Sequence, residues 1–177
     1  MGDFTNRIIR AIRLDVSVYE EVEADKGAMG QAMGVVVLSS IAGGVTAIER
    51  SGLSGILTGT IIALIGWYVW AYLIYLIGTK LLPEPQTRAD HGQLLRTIGF
   101  ASSPGLIRIL AIIPQGAKIV FLVASVWMLV ATIVAVRQAL DYRSTLRAVG
   151  VCIIGWVIQT ILVLFLFSIF WDFENTT

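Results

Sequence analysis

The chain has 177 residues, which is room for one domain. Hydrophobic residues make up 56% and charged residues 14%, with a mean hydropathy of +0.82; a soluble domain runs roughly 25% charged, so a soluble globule and a disordered chain are both excluded. The net charge of +1 excludes a strongly basic nucleic-acid binder, the lone cysteine excludes a disulfide framework, and the single histidine leaves little material for metal or acid–base chemistry.

Residues 1–26 form an arm ahead of the first apolar stretch. Phe4, Ile8, Ile9 and Ile12 fall on one arc of a helical wheel, with Arg7, Arg10 and Arg13 across from it. That pattern predicts a short amphipathic helix lying in the membrane interface, its arginines near anionic head groups. Asp15 would fall on the apolar arc, so a break is expected there. Ser17-Val18-Tyr19-Glu20 then has the form of a capping box, which starts a second helix at Val18. The arm reads as an anchor that orients the spans, or as a docking surface for a partner through Glu20, Glu21, Glu23 and Asp25.

A helix needs about 20 apolar residues to cross about 30 Å of hydrocarbon. Residues 27–48, 51–79, 119–136 and 148–171 are long enough, and each is free of Asp, Glu, Lys and Arg and bounded by charged residues. Residues 97–114 are apolar except for Arg108 and carry Pro104-Gly105 in their middle. A proline removes a backbone donor and clashes with the preceding turn, and lipid offers no substitute partner. This segment is therefore a broken helix buried against its neighbours or a re-entrant pair of half-helices.

The distribution of Lys and Arg arbitrates. With five crossings, one side holds Arg7, Arg10, Arg13, Lys26, Lys80, Arg88, Arg96, Arg137, Arg143 and Arg147, while the other holds Arg50 and Lys118. A re-entrant third segment would move the three arginines of the fourth loop to the outer side. The expected fold is thus an all-α integral membrane bundle of five spans over residues 27–171, with an acidic tail at 172–177, the N-terminus cytoplasmic and the C-terminus outside. The N-terminus shows neither the apolar core nor the cleavage site of a secretory signal, so the first span is expected to direct its own insertion.

Spans associate in lipid through close packing of small residues. Gly30 and Gly34 form one GxxxG, and Gly55 and Gly59 form a second. These faces pack within the bundle or meet another subunit. Arg108 is a charge inside a span, which is costly unless it is paired, faces a cavity or reaches the interface. Its candidate partners are Glu49, Asp141 and the C-terminal carboxylates, among them Asp172; a lipid phosphate and a transport path are the other readings. Gln31, Ser39, Ser40, Gln159 and Thr160 read as interhelical hydrogen-bonding groups. His91 reads as a solvated loop histidine, Cys152 as an inert small residue, and the tryptophans as interface and packing residues.

No nucleophile–base pair, nucleotide-phosphate loop or metal-ligand spacing is present. No catalytic, cofactor-binding or metal residue is therefore assigned, and no enzyme activity is expected. The expected role is a non-catalytic accessory or scaffolding subunit in or around a larger membrane complex. The alternative is a small-molecule or ion transporter or channel, as a single chain or a homo-oligomer, with Pro104 and Arg108 lining the path.

The stretch Gly92-Gln93-Leu94-Leu95-Arg96-Thr97-Ile98-Gly99-Phe100-Ala101-Ser102-Ser103-Pro104-Gly105-Leu106 resembles the Yip1-domain family in its prokaryotic form. So do Ile113-Pro114, Trp127, Val136-Arg137-Gln138-Ala139-Leu140-Asp141 and the last span. In that family a loop leads into a span with a central Ala-x-x-Pro, here Ala101 to Pro104, and a second proline closes it. The resemblance implies five transmembrane helices and a cytoplasmic N-terminus, in a prokaryotic cytoplasmic membrane. Eukaryotic members are linked to vesicle traffic and Rab-type GTPases. Their long N-terminal region with its Asp-Leu-Tyr-Gly-Pro motif is missing from this sequence, so no Rab-type GTPase partner is inferred. The expected partners are the lipid bilayer and other membrane-protein subunits.

Overall fold

The break near Asp15 divides the arm into two helices. In the computed structural model, which describes residues 2–45 and 48–176, α1 covers Gly2–Ile12 and α2 covers Val16–Ala24. Leu14 takes a left-handed conformation, φ +60°, as a residue just past a helix end commonly does. The cap of α2 is Asp15 rather than the expected Ser17. Asp15 has the extended backbone that an N-cap needs, and its Oδ1 accepts from the Ser17 backbone N–H at 3.0 Å. Ser17 already lies inside the helix, and its hydroxyl donates to the same carboxylate at 2.6 Å.

Five segments are long and apolar enough to cross a membrane: Lys26–Gly44, Gly52–Leu81, His91–Ile112, Ala117–Ala139 and Thr145–Phe165. They are built from α3 (Met29–Gly44), α4 (Ile48–Leu76), α5 (His91–Ala101), α6 (Ala117–Ala139) and α7 (Thr145–Thr176). Among the described residues there is no strand. The second span starts where Gly52, at φ +58° and ψ −162°, bends α4; a side chain would be strained in that conformation. It ends in a wide π turn over Ile77–Leu81.

The third span begins at His91 rather than near residue 97, because Arg96 enters the interior instead of standing in a loop. Arg96 is 5% exposed. Its Nε donates to the Val22 carbonyl at 2.9 Å, and Nη2 donates to the Glu23 carbonyl. These carbonyls belong to the last turn of α2, which lacks partners within its own helix and carries partial negative charge. A helix end thus neutralises the arginine and lets the span start earlier. Asp90 caps α5 through a capping box with Gln93, at 2.9 Å and 2.6 Å.

Past Ala101 the chain continues as a 3₁₀ helix, Ser103–Ile112, with Pro104 in its first turn. A missing N–H is harmless there, because first-turn donors have no partner within the helix. α6 then runs back to the end that holds the arm: Gln138, near its end, donates to Glu20 at 2.8 Å. The third segment is therefore a broken helix that crosses, and the re-entrant alternative is set aside.

This broken span is the centre of the bundle. Leu94 through Ala101 are all buried, as are Ser103, Pro104 and Gly105. α3, α4 and α6 surround it, and α7 packs outside against α4 and α6. The arm closes one further side: Phe4, Ile8 and Ala11 of α1 and Val18, Tyr19 and Val22 of α2 share a core with Ala32, Phe100, Ala131 and Ala135.

The end that holds the arm is stitched together by hydrogen bonds. Thr87 donates to the Leu140 carbonyl at 3.0 Å, and Gln86 to that of Asp141 at 3.0 Å. The Tyr142 hydroxyl lies 2.7 Å from the Leu82 carbonyl and 3.0 Å from that of Gly78. The arm, the second loop and the fourth loop, which carry most of the basic residues, therefore share one end.

Candidate functional site: an arginine-lined cleft beside the broken span

The central span approaches its neighbours so closely that only glycine fits. A Cβ at Gly99 would stand 2.7 Å from the Ala32 Cβ of α3, and one at Gly105 would overlap the Ser39 hydroxyl and press on the Met128 sulfur of α6. Side chains three apart on a 3₁₀ helix eclipse one another. Arg108 therefore stands one turn above Gly105, over the same seam between α3 and α6.

Its surroundings agree with that placement. The aliphatic part of Arg108 lies 3.7 Å from where a Gly43 Cβ would be. Nη2 donates to Ser125 Oγ across a long 3.4 Å, and the guanidinium carbon is 5.6 Å from the Phe121 ring centroid, within cation–π range. Nε is buried and has no partner. Among the described residues Arg108 forms no ion pair. Of the partners expected from sequence, Asp141 lies at the opposite end of the bundle, and the side chains of Glu49, Asp172 and Glu174 fall outside the described residues.

Arg108 borders two adjoining clefts. One, of about 340 Å³, is lined by Ser39, Ser40, Gly66, Trp67, Trp70, Ser102, Thr132, Trp156 and Gln159 among others. The second, of about 230 Å³, shares Arg108, Trp70, Met128, Thr132 and Trp156 and adds Ser125 and Cys152. α7 packs closely on α4 at Gly155, where a Cβ would lie 3.1 Å from Trp70 and Ile74. Beyond it Trp156, Val157 and Ile161 are exposed.

Most lining hydroxyls are turned away from the opening. Ser125 donates to the Phe121 carbonyl at 2.7 Å, Thr132 to that of Met128 at 2.8 Å, and Ser40 to that of Val37 at 2.8 Å. Trp67 donates to the Leu95 carbonyl at 3.1 Å. Among the described residues, the Gln159 amide and the indole N–H groups of Trp70 and Trp156 make no hydrogen bond within the chain. Among the described residues, the cleft thus offers one guanidinium, the Trp70 and Trp156 indole N–H groups, the Ser39 hydroxyl and the Gln159 amide with its donor and acceptor, and its lining holds no carboxylate.

The other residues singled out from sequence lie elsewhere. Pro104 is buried and does not line the cleft. A Cβ at Gly30 or Gly59 meets nothing within 4 Å, one at Gly34 would touch Phe4 at 3.6 Å, and Gly55 is half-buried. Arg7, 6% exposed, is turned inward: it pairs with Glu21 at 2.8 Å and Asp25 at 2.9 Å and donates to Gln31 Oε1 at 2.9 Å. Arg10 pairs with Asp15 at 2.9 Å and Glu21 at 2.5 Å, while Arg13 is exposed. The acidic run of the arm is therefore largely engaged within the chain. Hydrogen bonds from Arg10 and Arg7 hold the Glu21 carboxyl below its ordinary range, and Arg7 does the same for Asp25. Glu23 goes the other way: burial, reinforced by the nearby Asp141, raises it to about 7.

His91 also departs from expectation. It begins α5 with its ring edge-on to Tyr68 at 4.9 Å and Tyr72 at 5.4 Å, and its Nε2 is buried without a partner. The sequence offered two unused signals. Arg96 sits in the largely apolar stretch Leu94-Leu95-Arg96-Thr97-Ile98, and Tyr68, Tyr72 and Tyr75 recur at helical spacing.

These features define a multi-pass helical membrane protein built around a broken central span. The family model for the Yip1 domain matches residues 25–167, and the chain belongs to the Yip1-domain family. No curated protein and no solved structure matches it.

Proposed function

We propose that the protein is a non-catalytic accessory or scaffolding subunit of a prokaryotic cytoplasmic membrane, with its arm in the cytoplasm and its C-terminus outside. The observation that carries this reading is a division among its glycines. Gly78, Gly99, Gly105 and Gly155 serve close approaches inside the chain, whereas Gly30 and Gly59 face open space. In lipid, a small residue left open lets another helix come close. The basic residues gathered at the arm end support the orientation. The test is purification of the tagged chain from native membranes in mild detergent, followed by mass spectrometry. The expected result is a stoichiometric membrane-protein partner whose recovery falls with Gly59→Leu while the chain's own melting is unchanged. Recovery of the chain alone, monodisperse and monomeric, would overturn the reading.

A transporter or channel is the second reading, and the polar cleft at Arg108 favours it. A path would have to continue through the buried stretch from Leu94 to Ala101, which packs against neighbours on every side. Solute flux into proteoliposomes, abolished by Arg108→Gln, would establish transport in place of scaffolding.

A further inference from the structure

We propose that the cleft beside Arg108 is a binding site for a phosphate-type oxyanion, delivered either as the head group of a phospholipid or as a free ion. The inference stands on the cleft alone and does not depend on the scaffolding role. A guanidinium within a span needs compensation, and among the described residues Arg108 receives none from a carboxylate. Among the described residues its buried Nε–H has no acceptor, and its one hydrogen bond there, to Ser125, is long. The Ser39 hydroxyl, the Trp70 and Trp156 indoles and the Gln159 amide, which also carries an acceptor oxygen, bring further donors to the lining. A cation among N–H donors, without an anion, is complementary to phosphate oxygens, which arginine binds with a planar fork of donors.

Depth fits as well. Arg108 stands four residues before the end of its span at Ile112, about 8 Å at roughly 2 Å per residue. That is within reach of the head-group layer of the leaflet opposite the arm. Access fits a lipid source: the cleft opens along α7, where Trp156, Val157 and Ile161 are exposed, and a groove lined by Trp156, Gln159, Thr160, Val163 and Leu164 leads away from it. Because α7 starts at the arm end, that groove runs toward the head-group layer of the opposite leaflet, a route by which a head group reaches Arg108.

The experiment uses the full chain, delipidated in a neutral detergent, and follows tryptophan emission, because Trp70 and Trp156 line the cleft. Phosphatidylglycerol, a diacylglycerol of the same chains and inorganic phosphate are titrated separately. A saturable change with phosphatidylglycerol and none with diacylglycerol is expected, weakened about tenfold or more by Arg108→Gln and less by Arg108→Lys. The same change with inorganic phosphate alone would support the site and assign a soluble ion as its source. Equal responses to phosphatidylglycerol and diacylglycerol in the unaltered chain would overturn the proposal without recourse to any variant. So would an Arg108→Gln chain that melts normally and binds phosphatidylglycerol as well as the parent does.

Discussion

Gly105 and Arg108 face the same seam, and the first makes room for the second by bringing the backbone of the broken span against α3. Adding one methyl at Gly105 would drive it into the buried Ser39 hydroxyl and against the Met128 sulfur. Gly105→Ala is expected to cost about 1–3 kcal/mol, the usual range for overpacking. Ser39→Ala in the same chain should restore part of that, because it removes the atom that overlaps. Thermal unfolding of the two single variants and the pair forms a double-mutant cycle; strict additivity would show that the overlap is not the cause. Gly30→Ala is the control and should leave the melting temperature unchanged or slightly raised. At the arm, Glu23 makes a pH prediction. Its folded carboxyl is raised to about 7 from an ordinary value of 4.5. The folded state thus holds a proton that the unfolded chain has released. The stabilisation is complete below pH 4.5 and disappears as pH rises through 7. Glu23→Gln should flatten that decline and melt higher than the parent at pH 8; parallel pH profiles for the two proteins would refute the assignment.

At the scale of elements, the arm is held by one arginine with several partners. Arg7 joins α1 to the Glu21 carboxylate of α2, to Asp25 and to the first turn of α3 through Gln31. Its side chain is buried while its carboxylate partners are a third or more exposed, so solvent screens part of the attraction. Arg7→Ala is expected to cost about 1–3 kcal/mol, between the values for exposed and buried pairs. It should also open the turn around Leu14 to limited proteolysis. Arg7→Lys should rescue little, because a point charge cannot meet three partners in different directions. The pairing also shows what pattern reading could reach. The amphipathic α1, the break near Asp15 and the five spans follow from periodicity and the spacing of charges, which are properties of single segments. The inward turn of Arg7, the burial of Arg96 and the cleft depend on which segments become neighbours. A wheel places Arg7 opposite the apolar arc but cannot say that α2 will cover that side with carboxylates. Pro104 announced a broken span, whereas the cleft is lined by residues of α3, α4, α6, α7 and the broken span together, which no single segment announces.

At the scale of the whole molecule, the placement of the broken span in the centre connects topology with stability. A helix interrupted by proline has backbone carbonyls without partners, and these are tolerated in a membrane only where protein rather than lipid surrounds them. α3, α4, α6 and the arm provide that enclosure, so the third segment crosses between them rather than dipping from one surface. The consequence can be measured without any knowledge of function. Arg13 and Lys118 are both exposed and are separated along the chain by three spans. An odd number of crossings puts them on opposite faces of the membrane, and the orientation proposed above has Arg13 on the cytoplasmic one. In a Cys152→Ala background, Lys118→Cys should react with an impermeant maleimide added to intact cells, while Arg13→Cys should react only after the membrane is opened. A dip would leave two crossings between these positions and give them the same labelling pattern. The enclosure argument would then fail, and with it the position of Arg108 in the leaflet opposite the arm.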